Sequence, residues 1–452
     1  MAFSHHDLVT KSGGLKDHIQ AAGWVVAVSG GLDSMCLLHA LVQLKQYVQC
    51  PSLRVIHIHH SLQDEADGWQ QWVEQKSQEY GVGYTGHKVT LCAQQQKDLG
   101  LEAAARNARY RIFEQHLQVG EVLLLGHHAD DQTETLLLRL LRGAGVGGLR
   151  AMPKQRKLGD GLLFRPLMHV RQADLQGYAQ VHDLAWCEDP SNQSKRFDRN
   201  YLRHNVLPSL RQRWPALDKR IATVASVMAD TQQLLDEVAA ADLASVRAQY
   251  PHHERLPLAV LLVQSKARRH NLVRYWLALH QVPMPDYATM QRIDNELLYS
   301  AIDGQPKLQL VDWCLRRDQH YLVLLPKVEV GDVDTLLWQH NIDSKILASG
   351  VIELPTGALI LSLNDAHGLA LNQGDHLERR FRKGGERCRP LGRVHSQSLK
   401  KLLQEANVPV WERDQLPLFY INGELAMVAD LWINCGFEAV KNTPAWRWHK
   451  AT

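Results

Sequence analysis

The chain has little that would place it in a membrane or outside a cell. No apolar run approaches the roughly 18 residues that a membrane span requires. The first twenty residues lack the basic start and apolar core of a secretory signal. The seven cysteines are scattered and include no Cys-x-x-Cys pair. These absences disfavour a disulfide framework and a cysteine-rich zinc site, and they predict a cytoplasmic protein with reduced thiols.

The chain also lacks a strong overall charge. Its net charge is +3 at pH 7, with 22% charged and 45% hydrophobic residues. Global charge therefore identifies no partner, and local clusters of charge have to be considered instead. At 452 residues the chain is long enough for two or three domains, each with its own core.

Strand and helix patterns alternate through the first part of the sequence. Near-continuous apolar strands are predicted at 25–28, 54–57, 84–89, 122–125 and 162–165, and helices at 33–47, 64–80, 101–117, 130–141 and 170–184. This alternation predicts an α/β fold with a doubly wound parallel sheet. The glycine-rich, basic run 142–161 is predicted to be a long surface loop.

The rest of the chain divides less clearly. We predict four parts: a first domain over 1–210, a mainly helical domain over 211–326, a linker region over 327–374 and a small α+β C-terminal domain over 375–452.

A phosphate-binding turn is predicted directly after the first strand, in the run Ser29, Gly30, Gly31, Leu32, Asp33 and Ser34. Paired glycines let backbone N–H groups converge on an anion, and the following helix adds its positive end. The turn lies at the carboxyl end of a strand, where open α/β sheets bind ligands. No P-loop motif with its lysine is present. The alternative is a tight turn that uses glycine for its geometry alone.

Three acids open the helix after the fourth strand. Asp131 and Glu134 are three residues apart and share one face, whereas Asp130 is placed to cap the helix. Carboxylates here could bind an ammonium group or accept its proton. The alternative is that all three simply suit the helix dipole.

Basic residues form three further groups. Arg106 and Arg109 lie three apart in a predicted helix and could steady phosphates, although a solvated helix face is an equal alternative. Arg199 and Arg203 lie four apart. Residues 379–401 hold nine basic residues against the single acid Glu386, which suits a phosphate backbone but also an ordinary solvated surface.

The run "SGGLDS" resembles the loop of the N-type ATP pyrophosphatases. With "HIHHSLQDEAD", "AAARNARYRIF", "GHHADDQTETLLLRLLRGAGVGGLRAM", "FRPLMHVRQADL", "WCEDPSNQSKRFDRNYLRHNVLPSL" and "SLKKLLQEANVPVWERDQLPLFYINGELAMVADLWI", the sequence resembles the tRNA(Ile)-lysidine synthase family. The resemblance covers most of the first 210 residues and about the last 70. It implies an ATP-dependent ligase that adenylates the wobble cytidine of the CAU-anticodon isoleucine tRNA and joins free lysine to C2, releasing AMP and pyrophosphate.

The resemblance also implies roles for individual residues. The turn would bind ATP, with Asp33 holding Mg²⁺ on the triphosphate. The middle and C-terminal domains would bind tRNA. Expected lysine-binding or catalytic residues are Asp131, Glu134 and Arg199; expected phosphate or substrate contacts are Arg106, Arg109, His128 and Asp130; expected tRNA contacts are Arg203, Arg387, Arg389, Lys400 and Lys401.

Three other functions stay open at this point. One is a tRNA-thiolating enzyme of the same superfamily, although such enzymes usually need cysteine pairs or an iron–sulfur cluster. The second is an amidotransferase-linked synthetase, and the third is a non-catalytic tRNA-binding protein. The sequence also leaves the oligomeric state open, with a homodimer as one option.

Overall fold

The alternating segments form one twisted sheet. Its strands are β1 (Gly23–Ala27), β2 (Leu53–His59), β3 (Gly83–Lys88), β4 (Glu121–Leu125), β5 (Gln155–Leu158) and β6 (Gly161–Phe164). Their order is β3–β2–β1–β4–β6–β5, and every neighbouring pair is parallel except β5–β6. The doubly wound parallel sheet predicted from the sequence is therefore confirmed, with one antiparallel strand at its edge.

The coordinates are a computed structural model. It describes residues 3–10, 14–59, 65–89, 101–189, 197–251, 254–300, 306–326, 338–354, 357–362, 368–406, 408, 410–413, 416–439 and 445–450. Of the predicted helix 64–80, residue 64 lies outside these ranges; the predicted strand 84–89 lies within them.

Helices surround this sheet and continue beyond it. Those of the first half are α1 (Asp7–Thr10), α2 (Leu32–Leu44), α3 (Ala66–Glu79), α4 (Leu101–His116), α5 (Ala129–Leu141), α6 (Val146–Leu149), α7 (Gln172–Val181), α8 (Asp198–Tyr201), α9 (Leu207–Arg213) and α10 (Leu217–Gln249). A 3₁₀ turn occupies Leu15–His18, and a π-helical turn, Leu202–Val206, joins α8 to α9.

Side chains along each strand point alternately into two cores, one on each face of the sheet. Val26 and Leu124 point into a core with apolar residues of α2 and α7. Their neighbours Val25 and Leu123 point the other way, into a core with Phe113 of α4. Because side chains alternate along a strand, strands covered on both faces are apolar at nearly every position. This is the pattern that the sequence shows.

The basic, glycine-rich run 142–161 is not the long loop that we expected. It contains α6 and the edge strand β5. Arg139 organises the turn, because its Nη1 donates to the carbonyls of Gly148 and Ala151 at 2.9 and 2.8 Å. The prediction was wrong because this structure comes from a side chain outside the run and from pairing with β6.

The chain divides into two compact units. The first comprises Met1–Gln249, Ser265–His280 and Met284–Met290, and the second comprises Tyr250–Gln264, Gln281–Pro283 and Gln291–Thr452. The first unit continues with α12 (Lys266–Leu279), which packs on α10. Arg268 of α12 donates to both carboxylate oxygens of Asp242, at 2.8 and 2.6 Å.

The second unit is rich in strands. It contains α11 (Leu258–Val263), α14 (Ser344–Ser349), α15 (Leu399–Glu405), α16 (Val410–Arg413) and a π-helical turn, Ile293–Leu298; α13 (Tyr287–Arg292) spans the boundary between the units. Its strands are β7 (Arg255–Pro257), β8 (Lys307–Leu310), β9 (Trp313–Arg317), β10 (Tyr321–Pro326), β11 (Trp338–Asn341), β12 (Val351–Leu354), β13 (Gly357–Ser362), β14 (His376–Arg380), β15 (Arg387–Cys388), β16 (Gln397–Ser398), β17 (Leu418–Ile421), β18 (Glu424–Val428), β19 (Trp432–Ile433) and β20 (Ala445–Lys450).

The region 327–374, which we expected to be a linker, contains strands that pair with other strands. β11 pairs with β14, and β13 pairs with β20, so both strands belong to sheets of the C-terminal region. The short strands carried a weak sequence signal because their partners lie far along the chain. The helical middle region and the β-rich C-terminal region agree with the predicted fold class. The division into four domains stays a prediction.

Among the described helices, none combines the length and the apolar character needed to cross a bilayer.

Candidate active site

The turn between β1 and α2 is held by its two serines. The backbone N–H of Ser29 donates to Ser34 Oγ at 3.2 Å, and the Ser34 hydroxyl donates to the carbonyl of Gly31 at 2.9 Å. The N–H of Gly31 donates to Ser29 Oγ at 3.3 Å. The turn is thus closed by its own side chains, and α2 begins at Leu32 with its N-terminal end at the turn. This geometry fits an anion site.

Glycine is required at two positions around this turn. Gly30 has φ +94°, a conformation that other residues rarely adopt. Gly126, directly after β4, lies so close to α2 that a Cβ there would be 3.2 Å from the backbone of Asp33 and Ser34. The carboxyl end of β4 therefore sits directly against the first turn of α2.

His128 connects the turn with the acids of α5. Its Nε2 lies 3.4 Å from Asp33 Oδ2 and 3.6 Å from Asp131 Oδ2, and its Nδ1 lies 3.5 Å from Asp130 Oδ2. Burial favours the neutral imidazole, but the surrounding carboxylates outweigh it and raise the pKa of His128 to about 10. His128 is therefore an imidazolium at neutral pH, which balances part of the acidic cluster.

Asp131 and Glu134 are buried and paired with two arginines. Arg199 places Nη2 2.7 Å from Asp131 Oδ1 and Nε 2.6 Å from Glu134 Oε2. Arg203 donates to both oxygens of Glu134, at 2.6 and 2.9 Å. Although burial works against charge on each group, the opposite charges lower the pKa of Asp131 and raise those of Arg199 and Arg203. Asp131, Arg199 and Arg203 are thus held in their charged forms in a confined site.

This arrangement places Arg203 differently from our expectation. We predicted a tRNA contact, but its guanidinium lies in the acidic cluster beside Arg199. The two arginines reach the same carboxylate because they are four residues apart, on α8 and the π-helical turn that follows it. A role in binding RNA would have to compete with these ion pairs.

Asp130 belongs to a network that the sequence did not reveal. Its Oδ2 accepts from the N–H of Gln172 at 2.8 Å, and its Oδ1 lies 2.5 Å from Nη2 of Arg211. Arg211 also donates to both oxygens of Asp218, at 3.1 and 2.8 Å. Despite its burial, these partners and His128 hold the pKa of Asp130 well below its usual range. Arg211 and Asp218 carry no motif, so only the structure identifies them.

Two histidines at the carboxyl edge of the sheet also escaped a specific prediction. His57 donates from Nδ1 to the carbonyl of Val28 at 2.8 Å, which fixes the end of β1. His127 has a buried Nδ1 with no hydrogen-bond partner among the described residues. Burial lowers the pKa of His127 to about 3, with nearby Asp131 acting against this shift and nearby arginines acting with it. His127 is therefore a neutral imidazole inside a charged site.

Arg106 and Arg109 lie on α4, at the same edge of the sheet. Burial is the main cause that lowers the pKa of Arg109, and the positive charges of Arg106 and Arg199 add to it. Arg109 is thus close enough to the acidic cluster for the charge of Arg199 to lower its pKa. Arg106 is exposed and lies over the ring of Tyr110, with 5.1 Å between its Cζ and the ring centroid.

The basic run 379–401, in the second unit, is only partly a free basic surface. Arg379 is fully buried. Arg380 lies 2.6 Å from Glu378, and Arg393 lies 2.8 Å from Glu405. Arg382 lies 3.8 Å from Glu386. The four residues of this run that we chose as tRNA contacts are exposed: Arg387, Arg389, Lys400 and Lys401.

Comparison with known proteins assigns the chain in three segments. The family model of the PP-loop domain matches residues 6–210. That of the TilS substrate binding domain matches residues 256–323, and that of the TilS substrate C-terminal domain matches residues 377–450.

Relatives match nearly the whole chain. The tRNA(Ile)-lysidine synthase of Coxiella burnetii is 38% identical over 433 residues, which is 95% of this chain and 92% of that protein. The tRNA(Ile)-lysidine synthase of Serratia proteamaculans is 40% identical over 425 residues, 94% of each chain. Among solved structures, the U34-tRNA thiolase NcsA from Methanococcus maripaludis with its [4Fe-4S] cluster is 15% identical with a TM-score of 0.42, covering 50% of this chain and 77% of that one.

The raised pKa of His128 predicts a specific pH dependence of stability. Its folded pKa of about 10 exceeds the ordinary value of 6.5, so its contribution is complete below about pH 6.5 and is lost as pH rises toward 10. The difference in unfolding free energy between the wild type and His128→Gln should therefore shrink over this interval, by on the order of a few kcal/mol. Denaturant unfolding across the pH series measures it.

His116→Gln is the matched control, because its imidazole is exposed on α4. It should give a nearly constant difference from the wild type over the same pH interval. A His128→Gln difference that stays equally flat would show that His128 is neutral in the folded protein.

Proposed function

Because the chain belongs to the tRNA(Ile)-lysidine synthase family, we propose that it joins lysine to C2 of the wobble cytidine of the CAU-anticodon isoleucine tRNA. It is an ATP-dependent ligase with a PP-loop domain. The observation that carries the proposal is the position of His128, which connects Asp33 of the phosphate turn with Asp131 of the buried carboxylate pair. The proposed nucleotide site and the proposed site for a charged amine would therefore adjoin each other.

The reaction is proposed to have two steps. The C2 oxygen of cytidine attacks the α-phosphorus of ATP, which forms an adenylated base and releases pyrophosphate. The ε-nitrogen of lysine then attacks C2, gives up a proton, and displaces AMP together with the former C2 oxygen. In the first step, the turn of Ser29, Gly30, Gly31 and Ser34, with the N-terminal end of α2, is proposed to bind the phosphates.

A divalent cation fits this turn. Asp33 Oδ1 is buried and has no hydrogen-bond partner among the described residues, and a carboxylate oxygen is the ligand that Mg²⁺ prefers. We therefore propose that Asp33 holds Mg²⁺ on the triphosphate. The cation would neutralise the charge that develops on the departing pyrophosphate. Arg109 is proposed to act on the same phosphates.

The lysine site is proposed to be the pair Asp131 and Glu134 with Arg199. In this structure, the arginines already occupy the carboxylates. Lysine carries ammonium groups and a carboxylate, so it can replace an arginine on an acid while its own carboxylate takes up the released guanidinium. This exchange leaves no buried charge unpaired, which a smaller or singly charged amine could not achieve. One of the two carboxylates would then accept the proton of the attacking amine.

Thiolation is not favoured at this site. A Cβ on Gly30 would lie 3.4 Å from Sγ of Cys187, so this thiol is next to the turn. Burial raises the pKa of Cys187, which keeps the thiol protonated and weakly nucleophilic. Because tRNA is the proposed substrate, we also propose the cytoplasm as the place of action.

Asp33→Asn should abolish both half-reactions without unfolding the protein. Loss of the carboxylate removes the proposed cation ligand, so pyrophosphate release and lysidine formation should each fall by roughly 10²-fold or more. The assay follows pyrophosphate and lysidine with ATP, lysine and tRNA. Asp17→Asn, an exposed acid near the amino end of β1, is the control and should keep full activity. Near-normal turnover of folded Asp33→Asn would refute the assignment.

Glu134→Gln should raise the KM for lysine far more than the KM for ATP. The amide keeps the shape of the side chain but removes the charge that is proposed to meet the amine. Steady-state kinetics give both constants, with Glu114→Gln on the exposed face of α4 as the control. If pyrophosphate release without lysine falls as much as lysidine formation, Glu134 serves the first step and not lysine binding.

Lys400→Gln with Lys401→Gln should weaken tRNA binding in a salt-dependent way. Each phosphate contact contributes about 0.7–0.9 to the log–log slope of affinity against salt, so the double variant should lose roughly 1–2 units of slope. Lys16→Gln with Lys45→Gln changes two exposed lysines of the first unit and serves as the control. An unchanged slope in the Lys400–Lys401 variant would mean that these lysines face solvent in the complex.

A further inference from the structure

Tyr110 of α4 is surrounded by guanidinium groups. Arg106 and Arg156 lie over its ring, with 5.1 and 4.9 Å from their Cζ atoms to the ring centroid. Arg165, which is almost fully buried, places Nη2 3.4 Å from the phenol oxygen. Aromatic faces attract cations, so the ring holds these side chains in place without neutralising them.

These guanidinium groups have no acidic partner among the described side chains. We call Arg106, Arg156 and Arg165 the Tyr110 arginine cluster. Within the described part of the chain, none of its members forms an ion pair with an acid. The polar contacts that they do make go to uncharged groups, such as the carbonyl of Pro153 for Arg165.

Burial and mutual repulsion shift the pKa values of groups in and around the cluster. Burial is the main cause that lowers the pKa of Arg165, and the positive charges of Arg156 and Arg106 lower it further. Burial raises the pKa of the Tyr110 phenol, yet the four surrounding arginines outweigh it and lower that pKa. The arginines at the acidic cluster behave in the opposite way, because carboxylates raise the pKa of Arg199. Concentrated positive charge of this kind suits an anionic partner.

The cluster lies beside the active site. Arg165 directly follows β6, whose neighbour β4 leads into His127 at the same edge of the sheet. After burial, the positive charges of three arginines also lower the pKa of His127: Arg165, Arg109 and Arg199. From this edge the cluster extends outward to Arg106 and Arg156, which are exposed.

We infer that the Tyr110 arginine cluster is an RNA-binding surface of the first unit, which contacts the phosphates of the strand that enters the active site. The inference rests on the proposed function. Arginine suits this task, because its planar fork binds phosphate oxygens in pairs and its face stacks on an aromatic ring. RNA fits better than a nucleotide, because the exposed Arg156 lies on the edge strand β5, which β4 and β6 separate from β1 and its phosphate turn.

The test is Arg106→Gln with Arg156→Gln in the full chain. Binding of the CAU-anticodon tRNA should weaken on the order of tenfold, and the log–log salt slope should fall by roughly 1.4–1.8 for two lost phosphate contacts. The KM for ATP should stay nearly unchanged. Lys16→Gln with Lys45→Gln is the control for the loss of two exposed positive charges, and it should leave the slope unchanged.

Two results would overturn the inference. One is wild-type tRNA affinity with a wild-type slope in the double variant. The other is a raised KM for ATP with unchanged tRNA binding, which would place nucleotide phosphates on the cluster. If the double variant fails to fold, Arg156→Gln alone can replace it, because this position is exposed. The single variant should lower the salt slope by about half as much as expected for the double variant.

The wild type separates this inference from the proposed function. If the wild type forms no lysidine with ATP, lysine and tRNA, the proposed function fails whatever the variants do. If it forms lysidine and the double variant binds tRNA as the wild type does, only the arginine cluster has been misassigned. Lysidine formation by the double variant at saturating tRNA should recover, because the cluster is proposed to bind the strand and not the reacting base.

Discussion

The active site depends on how the first turn of α5 is neutralised. Asp130, Asp131 and Glu134 are buried within two turns of one helix, at the end of β4. The helix dipole can favour such acids only by about 1 kcal/mol each, which does not offset the cost of burying them as charges. The remaining compensation comes from His128, Arg199, Arg203 and Arg211. The chain from α8 to α9 therefore has to return to the edge of the sheet for the acids to keep their basic partners.

The sequence predicted the parts of this arrangement that depend on local patterns. An apolar run predicts the strand at Val25, and a glycine pair predicts the turn at Gly30. Helical spacing places two of the acids of α5 on one face. The partners of these residues could not be predicted in the same way. Arg211 meets Asp130 from 81 positions further along the chain, and nothing in the residues around Arg211 encodes that approach. Similarly, β11 and β13 are too short and too dependent on distant strands to be recognised as sheet members.

The arginines of the first unit divide into two classes by their partners. Arg199, Arg203 and Arg211 are paired with buried carboxylates, so their charges are already used to maintain the site. Arg106 and Arg156 are held by an aromatic ring and keep their charges available. Sequence spacing could not separate the classes, since Arg106 with Arg109 and Arg199 with Arg203 both suggest one face of a helix. The separation follows from which acids fold against each group.

The compensation of Asp130 also connects the phosphate turn to the long helix α10. Asp218 lies in the first turn of α10 and accepts from Arg211 and from Thr133 Oγ1, the latter at 2.8 Å. Arg211 in turn contacts Asp130, whose other oxygen lies near His128, and His128 lies near Asp33. Each contact in this series is between charged or buried polar groups, so a displacement of α10 would leave one of them unpaired at a cost of about 3–5 kcal/mol. The position of α10 is therefore energetically linked to Arg211 and, through it, to Asp130 of the acidic cluster.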